Sequence, residues 1–477
     1  MVTRLPPAAP GPSVAERAPE PAASGPLTRA QIQAARAGGR RGRGAADRSD
    51  AVGDGNGADR ERARRARRAT RRRRLVTTGA VLVLLAAAIT FVAVRSGRPP
   101  TVEHPMATVA TDMPTMAALP AATVSLPWPA GVQSAVSIPA VGYTADSGPQ
   151  HPVPIASMTK IMTAYVVLHD HPLTPGNDGP AIAISADDAS NYSTDLGTDQ
   201  ASVPLVAGEV MTERQMLGAM LVHSANDLAY SLASWDAGSL AAFVTKMNAA
   251  AASLDMTQTH YADASGYTPQ SVSTPADLLK VAAADMTNPT FAVMVAQSSA
   301  PLPTGATVYT YTPLLASSGG VPGVVGVKSG FTSAAGGGDI LAYQASAGGQ
   351  SFTALAAVTS MQGPTVLDAA GRADLAVAQA AAAHVGAVSL PVAGTPVGSA
   401  TVAGHAVPIA MTASGSVLVW PGGKIDETMV VSHRPAGGDP AGTPVGTVHV
   451  RVGTQDVAVP VQTAGRLPVV TVEHPLF

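Results

Sequence analysis

Residues 154–168 read PIASMTKIMTAYVVL. Ser157 and Lys160 stand three positions apart at the head of a strongly apolar run. On a helix such a pair shares one face. If the helix begins at Ser157, the N–H of that residue joins the unpaired amides of the first turn, which can hold an oxyanion. A serine hydroxyl is a poor nucleophile until a base takes its proton. A lysine one turn away can do so when it is neutral, and burial and a nearby cation both push its pKa down. Ile155, Ile161, Met162 and Val166 supply the apolar surroundings. The same spacing equally suits a core helix with a serine cap and a snorkelling lysine, so the pair alone leaves both readings open.

Two distant triplets bear on the choice. Ser224-Ala225-Asn226 lies within MLVHSANDLAY, and Lys328-Ser329-Gly330 within VVGVKSGFTSAAGGG. Taken singly, the first is a helix-capping segment and the second a hairpin end with a solvated lysine. The chain has only five lysines, however, and two of them fall in these motifs. The order S-x-x-K, S-x-N, K-[ST]-G resembles that of penicillin-binding proteins and serine β-lactamases. The wider blocks PIASMTKIMTAYVV, HSANDLA, HYADASGYTPQSVSTPADL and VVGVKSGFTSAAGG resemble the low-molecular-mass D-alanyl-D-alanine carboxypeptidase family, in a divergent actinobacterial form.

The resemblance covers about residues 127–385. It implies an α+β domain of the serine β-lactamase and penicillin-binding type, an antiparallel sheet flanked by helices. It also implies a serine peptidase that removes the terminal D-alanine of peptidoglycan stem pentapeptides, needs no cofactor or metal, and is inhibited by β-lactams. Residue by residue, Ser157 would attack the carbonyl between the two D-alanines and Lys160 would be its base. Ser224 would pass a proton to the leaving amine. Asn226 would orient Lys160 and the substrate backbone, and Lys328 with Ser329 of the K-S-G triplet (through Gly330) would bind the terminal carboxylate. The amides of Ser157 and Phe331 would form the oxyanion hole. Two departures stand out: Ser329 occupies a place where threonine is usual, and ASGYTPQ replaces the more usual P-D-G-L block.

Around this centre the chain is uneven. Residues 1–98 carry 20 of the 30 Lys+Arg and 7 of the 32 Asp+Glu, near +13, which leaves the remainder near −15. That balance argues against nucleic acid as a partner of the C-terminal bulk. Cysteine is absent, which excludes disulfides, thiol catalysis and zinc–thiolate sites. The eleven histidines show no metal-ligand spacing. His223 beside Ser224 reads as a flanking residue, since sequence neighbours rarely face each other.

Residues 1–74 are rich in Ala, Pro, Gly and Arg without apolar periodicity, and read as a disordered tail. It ends in ten arginines between Arg60 and Arg74. Leu75 to Val94 then runs twenty residues without a charge, about 30 Å as a helix. The basic flank places the N-terminus in the cytoplasm and the rest outside. The long preceding segment favours an uncleaved signal anchor over a cleaved leader. Residues 95–126 lack pattern and read as an extracytoplasmic spacer. VQSAVSIPAVGY suggests one or two strands, and Thr212/Gln215, Ser239 and Thr274-Pro275 are helix starts. From about 386 to 477, β-rich runs between Gly/Pro turns predict a small all-β domain. The C-terminal EHPLF forms no amphipathic helix of the kind by which many relatives are anchored.

Rival readings remain. A β-lactamase of the common type needs an E-x-x-L-N loop, and none occurs between Asn226 and Lys328. A non-catalytic wall-binding scaffold is the alternative from another class.

Overall fold

The computed structural model describes residues 76–92, 100–198 and 200–473. The chain divides into two units, 1–96 and 97–477. In the first, residues 76–92 form a helix whose apolar side chains are exposed, Leu82 and Phe91 among them. The expected disordered tail and both ends of the Leu75–Val94 run lie outside the described residues. Among the described residues no helix is long and apolar enough to cross a membrane.

The second unit holds two larger sheets, of five and six strands, beside several two-stranded ones. Its elements of interest are β1 (Thr108–Thr111), β2 (Gln133–Ile138), β3 (Tyr143–Asp146), α1 (Lys160–Asp170), α2 (Ala186–Gly197), α3 (Glu213–His223), α4 (Asn226–Ala237), α5 (Leu240–Ser253) and α6 (Pro275–Met286). They continue with β4 (Val324–Thr332), β5 (Gly336–Ala347), β6 (Gln350–Met361), α7 (Val366–Ala382), β7 (Pro396–Val402), β8 (His405–Met411), β9 (Asp426–Val431), β10 (Pro444–Val452) and β11 (Gln455–Thr463). The first sheet is antiparallel in the order β4-β5-β6-β2-β3.

Alternation along the strands sends side chains to both faces of this sheet. Ala135, Ile340, Ala342, Leu355 and Ala357 join one core with α1, α3, α4, α5 and α6. Val136, Ile138, Leu341, Ala354 and Ala356 join a second core with Val377, Ala378 and Ala381 of α7. A sheet covered on both faces reads apolar at consecutive positions, as Ile340-Leu341-Ala342 and Ala354-Leu355-Ala356-Ala357-Val358 do. Helix α1 is apolar almost all round because it is buried almost all round. Truncating a side chain there, as in Met162→Ala, costs about 2–5 kcal/mol.

The expected helix starts are capped as their sequences suggest. Thr212 and Gln215 close a capping box at α3, Ser239 caps α5, and Thr274 caps α6 with Pro275 in its first turn.

The C-terminal strands form the second sheet, in the order β9-β10-β11-β8-β7-β1. Its last strand corrects the reading of residues 95–126 as a patternless spacer. β1 pairs with β7, and Thr101–Glu103 pairs with Val470–Val472. Ala107 is buried in the β-domain core, with Val109, Met113, Met116 and Leu119 packed against it. The segment lacks periodicity because its strands are too short to show one, and their partners lie near the other end of the chain.

The β domain is seated on the β2–β3 corner of the first sheet. Gln455 Nε2 donates to the Ala140 carbonyl at 2.7 Å, and the Thr454 amide to that of Pro139 at 3.0 Å. The Tyr143 and Trp420 rings stack with centroids 3.4 Å apart.

Candidate active site

Ser157 lies in a 3-10 turn, Ala156–Thr159, that runs directly into α1. Lys160 is the first residue of that helix and is completely buried. Its Nζ lies 3.1 Å from Ser157 Oγ, 2.5 Å from Asn226 Oδ1 and 2.8 Å from the Ser265 carbonyl. Burial, and secondarily the charge of Lys328, push the pKa of Lys160 well below the usual lysine range. Asp263, Asp227 and Asp195 oppose this and do not reverse it.

The contacts have a chemical consequence. A neutral amine has two N–H groups and one lone pair. The Asn226 and Ser265 oxygens are pure acceptors, so they take both N–H groups. The lone pair is left for Ser157, whose hydroxyl can donate to it. The three contacts thus arrange Lys160 as a proton acceptor from Ser157.

Two glycines allow this packing. A Cβ on Gly266, whose φ is +81°, would fall 1.8 Å from the Ala156 carbonyl oxygen, where the HYADASGYTPQ loop closes on the serine turn. A Cβ on Gly330 would fall 2.7 Å from the Ser157 nitrogen, so glycine in the third motif lets β4 pass against Ser157.

Ser224 and Asn226 come from the corner between α3 and α4. Ser224 sits at the C-cap of α3 in the left-handed region, φ 61°, and Asn226 opens α4. Asn226 Nδ2 donates to Gln200 Oε1 at 2.6 Å, which fixes the amide with its oxygen toward Lys160. One residue on, Asp227 accepts from the Val203 and Leu228 amides at 2.9 Å, and burial pushes its carboxyl up to about 7.

Lys328 is completely buried in β4, which is the edge strand of its sheet. Burial pushes its amine down to about 8, against the pull of Asp339 on β5. Its Nζ donates to the Ser329 carbonyl at 2.8 Å, and Ser329 Oγ to the Tyr311 carbonyl at 2.9 Å. Phe331 is half exposed beyond them.

A groove of about 580 Å³ collects these residues. Ser157, Ser224, Asn226, Ser329, Gly330 and Phe331 all line it, and Lys160 and Lys328 lie beneath its floor. Every residue singled out from the three motifs is therefore at or directly under one site. His223 stands apart from the chemistry: its Nδ1 is 3.0 Å from the Tyr309 carbonyl and its ring lies against Tyr311.

Several contributors escape a motif-based reading. Gln200 holds Asn226, and Tyr267 and Tyr311 wall the groove. Ser265 acts through a backbone carbonyl, which leaves no side-chain signature. Its loop is wound on Asp263, which accepts from the Gly266 and Tyr267 amides and the Ser265 and Ser271 hydroxyls. The block HYADASGYTPQSVSTPADL pointed to this loop in the sequence, but not to the Ser265 carbonyl.

Residues 143–358 match the family model described as D-alanyl-D-alanine carboxypeptidase. The D-alanyl-D-alanine carboxypeptidase of Mycobacterium tuberculosis is 33% identical over 191 residues, 38% of this chain and 59% of that one. That of Streptomyces sp. K15 is 37% identical over 146 residues, 29% of this chain and 48% of its own. The chain thus spans about half the length of the curated relatives it matches. The crystal structure of the Streptomyces K15 DD-transpeptidase aligns over 56% of this chain and 99% of its own, at 26% identity and a TM-score of 0.44. Over residues 143–358, then, this chain is similar to the D-alanyl-D-alanine carboxypeptidase family.

Proposed function

We propose that the protein is a serine D-alanyl-D-alanine carboxypeptidase acting on peptidoglycan stem pentapeptides and acylated by β-lactams. The observation that carries this reading is the buried Lys160, whose two acceptor contacts leave its lone pair for Ser157. A lysine in a structural cap has no need of such an arrangement.

In this reading the substrate lies along the free edge of β4, where an extended peptide can add as a strand. Its terminal carboxylate meets Ser329 and the Lys328 charge, a charge-assisted contact. Ser157 Oγ attacks the carbonyl carbon of the penultimate D-alanine as its proton moves to Lys160. The developing oxyanion is held by the amides of Ser157 and Phe331. The proton returns by way of the Ser224 hydroxyl to the leaving nitrogen. The C–N bond breaks and D-alanine departs, leaving an ester on Ser157. Water then attacks that ester, Lys160 again taking the proton, and the shortened peptide is released. A β-lactam offers the same carbonyl and carboxylate, but its leaving amine stays tethered.

The apolar run Leu75–Val94, behind ten arginines, supports a membrane anchor that holds this domain outside the cell.

The test is release of D-alanine from a D-Ala-D-Ala pentapeptide. The wild type should release it, whereas Ser157→Ala and Lys160→Ala should release none at neutral pH while keeping the wild-type circular dichroism. Near-normal release by Lys160→Ala would refute its role as base. Penicillin labelling of the wild type without D-alanine release would favour the scaffold or transpeptidase reading.

A further inference from the structure

Resting on the function proposed above, the charge of the groove bears on which stem peptide it takes. Among the described residues lining the groove none carries a charged side chain. Between the lining residues Thr198 and Gln200 the sequence supplies an aspartate, outside the described residues, and no cation. Among the described residues the only cations at the site are the two buried lysines, and both are already engaged. Lys160 faces Ser157, and Lys328 is assigned to the terminal carboxylate.

The rest of the domain has no cation to spare. Residues 127–385 contain four lysines and two arginines. Lys246 is paired with Asp170 and Asp236, and Lys280 with Asp277. Arg214 donates to the Thr174 and Asn177 carbonyls beside Asp178. Arg372 projects from α7 and is not part of the groove wall.

Geometry places the third stem residue against this wall. With the terminal carboxylate at Ser329 and the scissile carbonyl at Ser157, the chain continues along β4 past Phe331, at about 3.4 Å per residue. There it meets Phe331, Thr332, Tyr267 and Leu367, a surface of aromatic, aliphatic and hydroxyl groups. Beyond Phe331 and Leu367 an adjoining recess brings in Asp368, which is an acid.

We infer that this groove selects stem peptides whose third residue bears no free carboxylate: diamino acids that are amidated or that lack the second acid group. One carboxylate per substrate finds a partner here. A second would lie against an uncharged wall, with no counter-charge in return.

The experiment compares two pentapeptides identical except that the side-chain carboxylate of a diaminopimelate at position three is free or amidated. The full chain is used, with D-alanine release as the readout. The amidated peptide should have the higher kcat/KM by about ten-fold or more. A ratio near one, or preference for the free acid, overturns the inference and leaves the carboxypeptidase reading standing. In parallel, acylation rates are measured for two penicillins whose side chains differ by one carboxylate, so the comparison survives slow hydrolysis. The neutral side chain should acylate faster, and equal rates would contradict the inference. Acylation by neither compound would instead remove the penicillin-binding reading on which it rests. Leu367→Arg supplies the missing cation and should narrow the peptide ratio, whereas Leu367→Gln should not. An unchanged ratio in Leu367→Arg would show that charge is not the basis of selection.

Discussion

At the scale of single residues, the two buried lysines divide the work by their protonation. Burial lowers both: Lys328 to about 8 against the pull of Asp339, and Lys160 well below the usual lysine range, with the Lys328 charge adding to its burial. A neutral Lys160 can accept a proton, while a charged Lys328 can hold a carboxylate. Activity should therefore fall as pH passes about 8, through loss of the Lys328 charge. The check is kcat/KM against pH, in which the high-pH loss should appear mainly in KM. Lys328→Ala should raise KM about 10- to 100-fold, as expected for a lost charge-assisted hydrogen bond. Ser157, Lys160, Asn226 and Lys328 were legible in the sequence because their side chains stand in motifs of characteristic spacing, which the structure brings to one groove. Ser265 was not, because its contribution is a carbonyl that any residue could offer.

At the scale of elements, the site depends on how helices begin and end. The α3–α4 corner holds Ser224 in a left-handed turn and aims Asn226 at Lys160. The capping box at the other end of α3 fixes where that helix starts. Thr212→Ala should lower unfolding free energy by about 1 kcal/mol in a denaturant titration. The acylation rate should hold, because Ser224 lies at the opposite end of the helix. A matching loss of acylation would mean that the cap positions the corner as well. The starts of α3, α5 and α6 were readable from local capping chemistry. The 3-10 turn before α1 was not, since it is imposed by the close approach of Gly266 to the Ala156 carbonyl, a contact between distant segments.

At the scale of the molecule, the β domain is completed from the N-terminal side of the catalytic domain. β1 closes the edge of the second sheet, and Ala107 fills part of its core. A chain beginning at residue 127 should lose both and expose the edge of β7, with a lower melting temperature and a tendency to associate. A chain beginning at residue 97 should retain the full transition. Equal melting of the two in calorimetry would show that β1 contributes nothing. The β-rich character of the chain after about residue 386 was visible in strand patterning. The return of residues 101–126 to the second sheet was not, because short strands carry no period and their partners are set only by tertiary folding.

The most direct measurement is the site of covalent modification. The protein is incubated with benzylpenicillin, digested, and the modified peptide is mapped by mass spectrometry. One penicilloyl group should be found, on Ser157, with none in Ser157→Ala. An unmodified protein, or an adduct on another residue, would contradict the assignment of Ser157 as the nucleophile.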